Sequence, residues 1–237
     1  MVRKLDPPTR PLPKAPFLWW WKPNPNAPRW RWCRVYHQSM HAPDGATFRP
    51  NGPRARLDHH HPADPPADDP TGRRILYVGD DLATSASEVF GEAGVAQICP
   101  RYRVSILAPK RSLAMLDLAR KGAALAIGAL PSLADGSEPR PLTQEWARAI
   151  YEDKPAGPEA TGVRYRTGYN FGYSLALWDC EDGIEIVRDS RGTLQDKALN
   201  DRGVLLRLQV QMRKRLISVT TVPEDDCEQC QKVLGRR

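Results

Sequence analysis

Cysteine is scarce in this chain, and long apolar runs are absent. Five cysteines (Cys33, Cys99, Cys180, Cys227, Cys230) among 237 residues are too scattered for a disulfide framework. They suit a reducing compartment. No apolar stretch reaches the roughly 20 residues of a membrane span. Pro7, Pro8, Pro11, Pro13 and Pro16 interrupt any signal-peptide core. A cytoplasmic protein without a membrane span is therefore expected. The Walker loop, the GxGxxG fingerprint and the GxSxG elbow are all missing. Their absence argues against a P-loop NTPase, a Rossmann dehydrogenase and a standard α/β-hydrolase.

Most of the chain also lacks any excess of charge. The net charge is +7, and residues 1–34 alone hold eight Lys/Arg against one Asp. The remaining 27 basic and 27 acidic side chains cancel. The basic character belongs to the start of the chain and gives no support for a nucleic-acid-binding domain.

Proline is abundant and uneven: fifteen of 23 fall within residues 1–70. Residues 1–32 read as a Pro/Trp-rich basic leader that forms no core by itself. Trp19, Trp20 and Trp21 beside Lys22, with Trp30 and Trp32 among Arg29 and Arg31, suggest two uses. They are a contact surface for membrane or nucleic acid, or an anchor along the outside of the folded domain. The lack of helical period favours the anchor.

Residues 33–222 read as one folded domain, followed by a polar tail over 223–237. Strands are expected at 33–38, 75–78, 102–107, 162–167, 173–178 and 183–187. An apolar run occupies 113–118. A helix is expected over 144–152 with Thr143 as N-cap, and another over 194–201 closed by Gly203. Leu206, Leu208, Val210 and Met212 alternate with polar residues like a half-buried strand. Many strands and few helices indicate an α+β domain with a mixed sheet. Between residues 42 and 72 lies a long loop rich in Pro, Gly and Asp. Loops of that length are usually functional or disordered.

The most informative stretch is RRILYVGDDLATSASEVFGEA (73–93). It reads as a buried strand, a tight turn and a helix opened by Asp81. Leu82, Ala86, Val89 and Phe90 form the helix's apolar stripe, and Glu88 lies off it. A strand-end tyrosine, Tyr77, thus precedes by eleven residues a glutamate on the polar side of the next helix. That spacing points a ring and a carboxylate into one cleft, unless Tyr77 is plain core and Glu88 a wet surface residue.

Two other groups invite a metal reading. Adjacent histidines in an extended segment point apart, so His59, His60 and His61 make a poor single-ion site. Cys227-x-x-Cys230 has no second pair or histidine nearby in sequence and reads as polar tail. No metal is expected. What remains is Arg34, Tyr77 and Glu88, with Arg56 in the loop and Thr167 on a later strand. A guanidinium grips phosphate through paired hydrogen bonds, a ring stacks on a flat heterocycle, and a carboxylate stabilises charge developing at an anomeric carbon.

Arg34-Val-Tyr36, GPRARLDHH (52–60), ILYVGDDLATSASEVF (75–90), GVRYRT (162–167) and YSLALWD (173–179), in that order, resemble the RES domain family. The match runs over roughly residues 33–190. The resemblance implies a fold similar to ADP-ribosyltransferases and NAD as substrate. It also implies a bacterial toxin–antitoxin setting with an antitoxin protein as partner. Studied members split NAD with inorganic phosphate or transfer ADP-ribose to a protein. A catalytically silent NAD- or partner-binding module is the other reading. Carried over by position, Arg34 is the family's first arginine, Arg56 its loop arginine, Tyr77 its strand tyrosine and Glu88 its glutamate. Thr167 stands where the family has serine, which keeps the hydroxyl but stiffens χ1. The resemblance gives Arg34, Tyr77 and Glu88 the catalytic roles, with Arg34, Arg56, Tyr77 and Thr167 as substrate contacts.

Overall fold

Short alternating segments bury one or both faces by pairing, and here most of them pair into one sheet. The computed structural model describes residues 4–24 and 31–233. Its strands are β1 (Leu18–Trp21), β2 (Trp32–His37), β3 (Asn51–Gly52), β4 (Ala67–Asp68), β5 (Ile75–Gly79), β6 (Val95–Ile98) and β7 (Tyr102–Pro109). They continue as β8 (Leu113–Asp117), β9 (Ala160–Arg166), β10 (Tyr173–Trp178), β11 (Ile184–Ile186), β12 (Asp196–Ala198) and β13 (Ser218–Thr221). The helices are α1 (Leu82–Phe90), α2 (Ala123–Ala126), α3 (Ser132–Asp135), α4 (Arg140–Asp153), α5 (Arg202–Arg213) and α6 (Glu228–Val233).

The main sheet runs β1-β8-β9-β10-β5-β2-β7-β11, with β12 also beside β7. The β8–β9 pair is parallel and the other pairs are antiparallel, so the sheet is mixed. Alternation divides the strands between two faces. Ile75, Val163, Tyr165, Ala176 and Trp178 face a core closed by Trp146 and Ile150 of α4. Leu76, Val78, Leu175 and Leu177 face a second core with Trp21, Trp32 and Phe48. Helix α1 packs Leu82, Ala86 and Phe90 with Leu208 and Met212 of α5 in a third. Central strands β5 and β10 are thus covered on both sides, which fixes their register. Among the described residues no helix is long and apolar enough to cross a membrane.

The Pro/Trp-rich start of the chain is more than an outer anchor. β1 forms an edge of the main sheet, pairing Trp21 with Leu113, and Trp21 is fully buried with its ring edge-on to Trp32. Leu5, Leu12 and Ala15 lie in the α4 core. The Leu12 N–H donates to Asp153 at 2.9 Å, and the Trp146 indole donates to the Asp6 carbonyl at 3.0 Å. Trp30 and Arg29 fall outside the described residues.

Three local expectations need correction. Helix α4 begins at Arg140, with Pro141 in the first turn where its missing N–H costs nothing. Thr143 lies inside the helix and donates its hydroxyl to the Arg140 carbonyl at 2.9 Å. The 194–201 segment is not helical: β12 pairs with β7, and Asp196 accepts from Arg103 at 2.6 Å. The alternating stretch that follows is helix α5, capped by Asp201. Val204, Leu208 and Met212 recur at i, i+4 and i+8 and face the core, whereas Leu206 and Val210 are exposed. The apparent period of two arose from those two surface residues.

Trp21→Ala should therefore destabilise the chain by about 3–5 kcal/mol in urea unfolding. Trp20→Ala, beside it but 39% exposed, should cost within about 1 kcal/mol. Equal effects would show that β1 is not part of the folded core.

Candidate active site

The central strand β5 ends in a tight turn, and Asp81 opens α1 by accepting the Thr84 N–H at 2.6 Å. This junction sets α1 over β2 and β5, with its flank toward β10. Tyr77 points to the α4 side, as does Tyr165 of β9. Glu88, half-buried on α1, presents its carboxylate toward the Tyr165 hydroxyl. Tyr77 and Glu88 thus come to one region, as their spacing suggests, with Tyr165 between them.

A buried carboxylate organises the loop that crosses this region. Asp58 is fully buried and accepts both oxygens' worth of hydrogen bonds from Arg49 Nη2, at 2.8 and 2.7 Å. It also accepts the backbone N–H groups of Arg54 (2.5 Å) and Ala55 (3.1 Å), and the Tyr77 hydroxyl (2.8 Å). Burial alone would raise its pKa, but Arg49, these N–H groups and Tyr77 together hold it below the ordinary value. Tyr77, itself pushed well above its ordinary value by burial and then by Asp58, stays protonated as a donor.

The same loop delivers Arg56. Gln144 of α4 donates to the Ala55 carbonyl at 3.0 Å. The Arg56 guanidinium lies 4.9 Å from the Tyr165 ring centre and donates through Nη2 to the Arg166 carbonyl at 2.9 Å. Its Nη1 is buried and has no partner among the described residues. Oε1 of Glu88 and the hydroxyls of Tyr165 and Ser174 face one another there without close hydrogen bonds. Arg56 Nη1 beside them is a buried donor without a partner among the described residues, open to an acceptor from a ligand.

Thr167 is fully buried just beyond β9, one residue from the carbonyl that Arg56 holds. Its hydroxyl accepts the Tyr169 N–H at 3.4 Å, closing a turn that Asn170 ties to Thr84 of α1 at 3.2 Å. Tyr169, partly exposed, borders the region.

Arg34 is placed elsewhere. Cys33 sits opposite Gly79, on the side that bears Tyr77, so alternation turns Arg34 to the other side with Trp32. There Nη1 donates to the carbonyls of Gly45 (3.0 Å) and Thr47 (2.6 Å). Burial lowers its pKa to about 10. Arg34 therefore holds the 45–47 loop and does not join Tyr77, Glu88 and Arg56.

The three consecutive histidines diverge. His59 packs on Tyr151 and Trp178 and faces Asp179, His60 lies against Gly52, and His61 bonds Asp69. Burial lowers the pKa of His59 and His60 and keeps them neutral.

Two residues of the site carry little sequence signal. Tyr165 reads as an ordinary strand residue until Glu88 and Arg56 converge on it. Gly136 has φ near +82°, and a Cβ there would come within 2.2 Å of Arg56 Nη1. It leaves room for the guanidinium, and only its turn-like neighbours Asp135 and Ser137 hint at it.

Asp58→Asn should destabilise the chain by about 3 kcal/mol at neutral pH, since Arg49 loses its buried partner. Because the folded-state pKa is depressed, this contribution is complete above the unfolded carboxylate range. It is lost as pH falls through the folded value. Urea unfolding at a series of pH values checks this: the gap between the wild type and Asp58→Asn should close toward acid pH.

Comparison with known proteins places these features in a family. The model described as the RES domain matches residues 28–195. Among solved structures, the chain is similar to one in the crystal structure of the M. tuberculosis MbcT–MbcA toxin–antitoxin complex. The TM-score is 0.45 at 17% identity, over 75% of this chain and 88% of that chain. No curated protein matches. A family match over most of the chain, including β2, β5, α1 and the strands that carry Tyr165, makes this protein a member of the RES domain family.

Proposed function

We propose that this protein breaks the bond between nicotinamide and ribose in NAD, with inorganic phosphate as acceptor. The observation that carries the reading is the meeting of the Glu88 carboxylate, the Tyr165 ring and Arg56, whose buried Nη1 has no partner among the described residues. Membership of the RES domain family supports NAD as the substrate.

The chemistry follows from the charges. As the C1′–N bond opens, its electron pair leaves with neutral nicotinamide, and positive charge develops on the ribose ring. Glu88 stabilises that charge from one side, in surroundings where burial keeps electrostatic interactions strong. The rings of Tyr77 and Tyr165 line the place of the flat heterocycle, and Asp58 fixes Tyr77 through its hydroxyl. Arg56, rather than Arg34, is the guanidinium beside Glu88, and it serves the pyrophosphate or the incoming phosphate. Thr167 holds the turn that closes over Arg56. Arg34 acts at a distance, by positioning the 45–47 loop.

Phosphate is favoured over a protein side chain because the cluster is buried, which suits a small acceptor better than a protein surface. As a RES family member the enzyme would act as an NAD-depleting toxin, with an antitoxin protein as its natural partner.

Incubation of the purified protein with NAD should give nicotinamide and phosphorylated ADP-ribose by mass spectrometry, only when phosphate is present. Free ADP-ribose without phosphate would assign water as acceptor, and label on a protein would assign ADP-ribosyl transfer. Glu88→Gln should lower the single-turnover rate by about a hundredfold or more with little change in NAD affinity. Arg56→Ala should weaken NAD or phosphate binding by about tenfold as well as slow the reaction. Near-normal turnover in Glu88→Gln would end this mechanism.

A further inference from the structure

The C-terminal segment is not a loose polar tail. Parallel pairing of β13 with β6 carries the chain to the end of β6, where Cys99 follows Ile98. The Val222 N–H donates to the Ile98 carbonyl at 3.0 Å, and Arg101 pairs with Glu224 at 2.7 Å. The next turn brings Cys227 and Cys230, at the start of α6, against Cys99, and all three are buried. From the other side His37, the last residue of β2, is set beside them because β2 pairs His37 with Tyr102.

We infer that His37, Cys99, Cys227 and Cys230 form a structural zinc site that fastens the C-terminal segment to the end of the main sheet. Their ligand atoms all lie within 4.8 Å of one another. His37 Nε2 is 3.2 Å from Cys230 Sγ and 3.6 Å from Cys99 Sγ, and the two sulfurs are 3.6 Å apart. Ligands about 2.3 Å from a tetrahedral zinc stand about 3.8 Å from one another, so small shifts suffice to coordinate it. Three thiolates and one imidazole are a donor set that zinc takes in closed, four-coordinate sites.

Two ordinary explanations fit less well. Buried cysteines often serve as small apolar residues, but an imidazole nitrogen facing two sulfurs is not apolar packing. A disulfide would use two of the three sulfurs and leave the third and His37 without a role. The Cys227-x-x-Cys230 pair lacked visible partners in sequence because they lie at positions 37 and 99. Only the β2–β7 and β6–β13 pairings bring them in. None of the four residues belongs to the Glu88 cluster, so the site stands or falls apart from the proposed reaction.

The full-length protein, purified in reducing buffer without chelator, should contain about one zinc per chain by elemental mass spectrometry. Replacement by cobalt should give the strong thiolate-to-metal absorption of a tetrahedral site. Chelation should lower Tm by at least about 5 °C and open residues 218–233 to proteolysis. Cys227→Ala with Cys230→Ala should lose the metal, whereas Cys33→Ala and Cys180→Ala should keep it. Folded wild-type protein that holds no zinc and shows no cobalt–thiolate absorption on titration would overturn the assignment. A Cys99–Cys230 disulfide in freshly purified reduced protein would do the same.

Discussion

The buried carboxylate of Asp58 is the constraint on which the site depends. An ionised carboxylate without access to water is costly unless its oxygens are filled. Here a guanidinium, two backbone N–H groups and a phenol fill them. Because Tyr77 belongs to the central strand and Arg54 and Ala55 to the crossing loop, one side chain pins the loop to the sheet. The position of Arg56 over Tyr165 follows from that pin and from Gln144 on α4.

The sheet supplies the other half of the geometry. Its central strands are buried on both faces, so Tyr77 and Tyr165 have no freedom to change sides. The capped start of α1 sets where Glu88 falls along the helix. These elements hold Glu88, Tyr165 and Ser174 face to face and leave Arg56 Nη1 an unfilled buried donor, a burden that a bound ligand would relieve. In the proposed reaction such a cluster would be held ready before substrate arrives, which is where electrostatic catalysis draws its strength.

Much of this was legible in the sequence wherever the signal was local. The 75–79 strand, the Asp81 cap, α1 and the strand from Tyr173 to Trp178 follow from period and turn chemistry over a few residues. The α+β class followed from the same elements. Long-range consequences were hidden. Nothing in the spacing of Trp19–Trp21 shows that β8 needs an edge partner, and nothing near residue 206 separates a strand's alternation from helix α5. The family resemblance placed Arg34 by position along the chain, whereas its side of the sheet depends on register with Gly79. Tyr165 and Gly136 gain their roles only through contact with Glu88 and Arg56.

In the proposed function one buried cluster around Glu88, and not the Arg34 side of the sheet, receives NAD. A crystal structure of the Glu88→Gln variant soaked with NAD tests it most directly. The nicotinamide ribose should lie beside residue 88, the heterocycle against Tyr77 or Tyr165, and Arg56 Nη1 on a phosphate or ribose oxygen. NAD bound beside Arg34 and the 45–47 loop, with the Glu88 cluster empty, would contradict it.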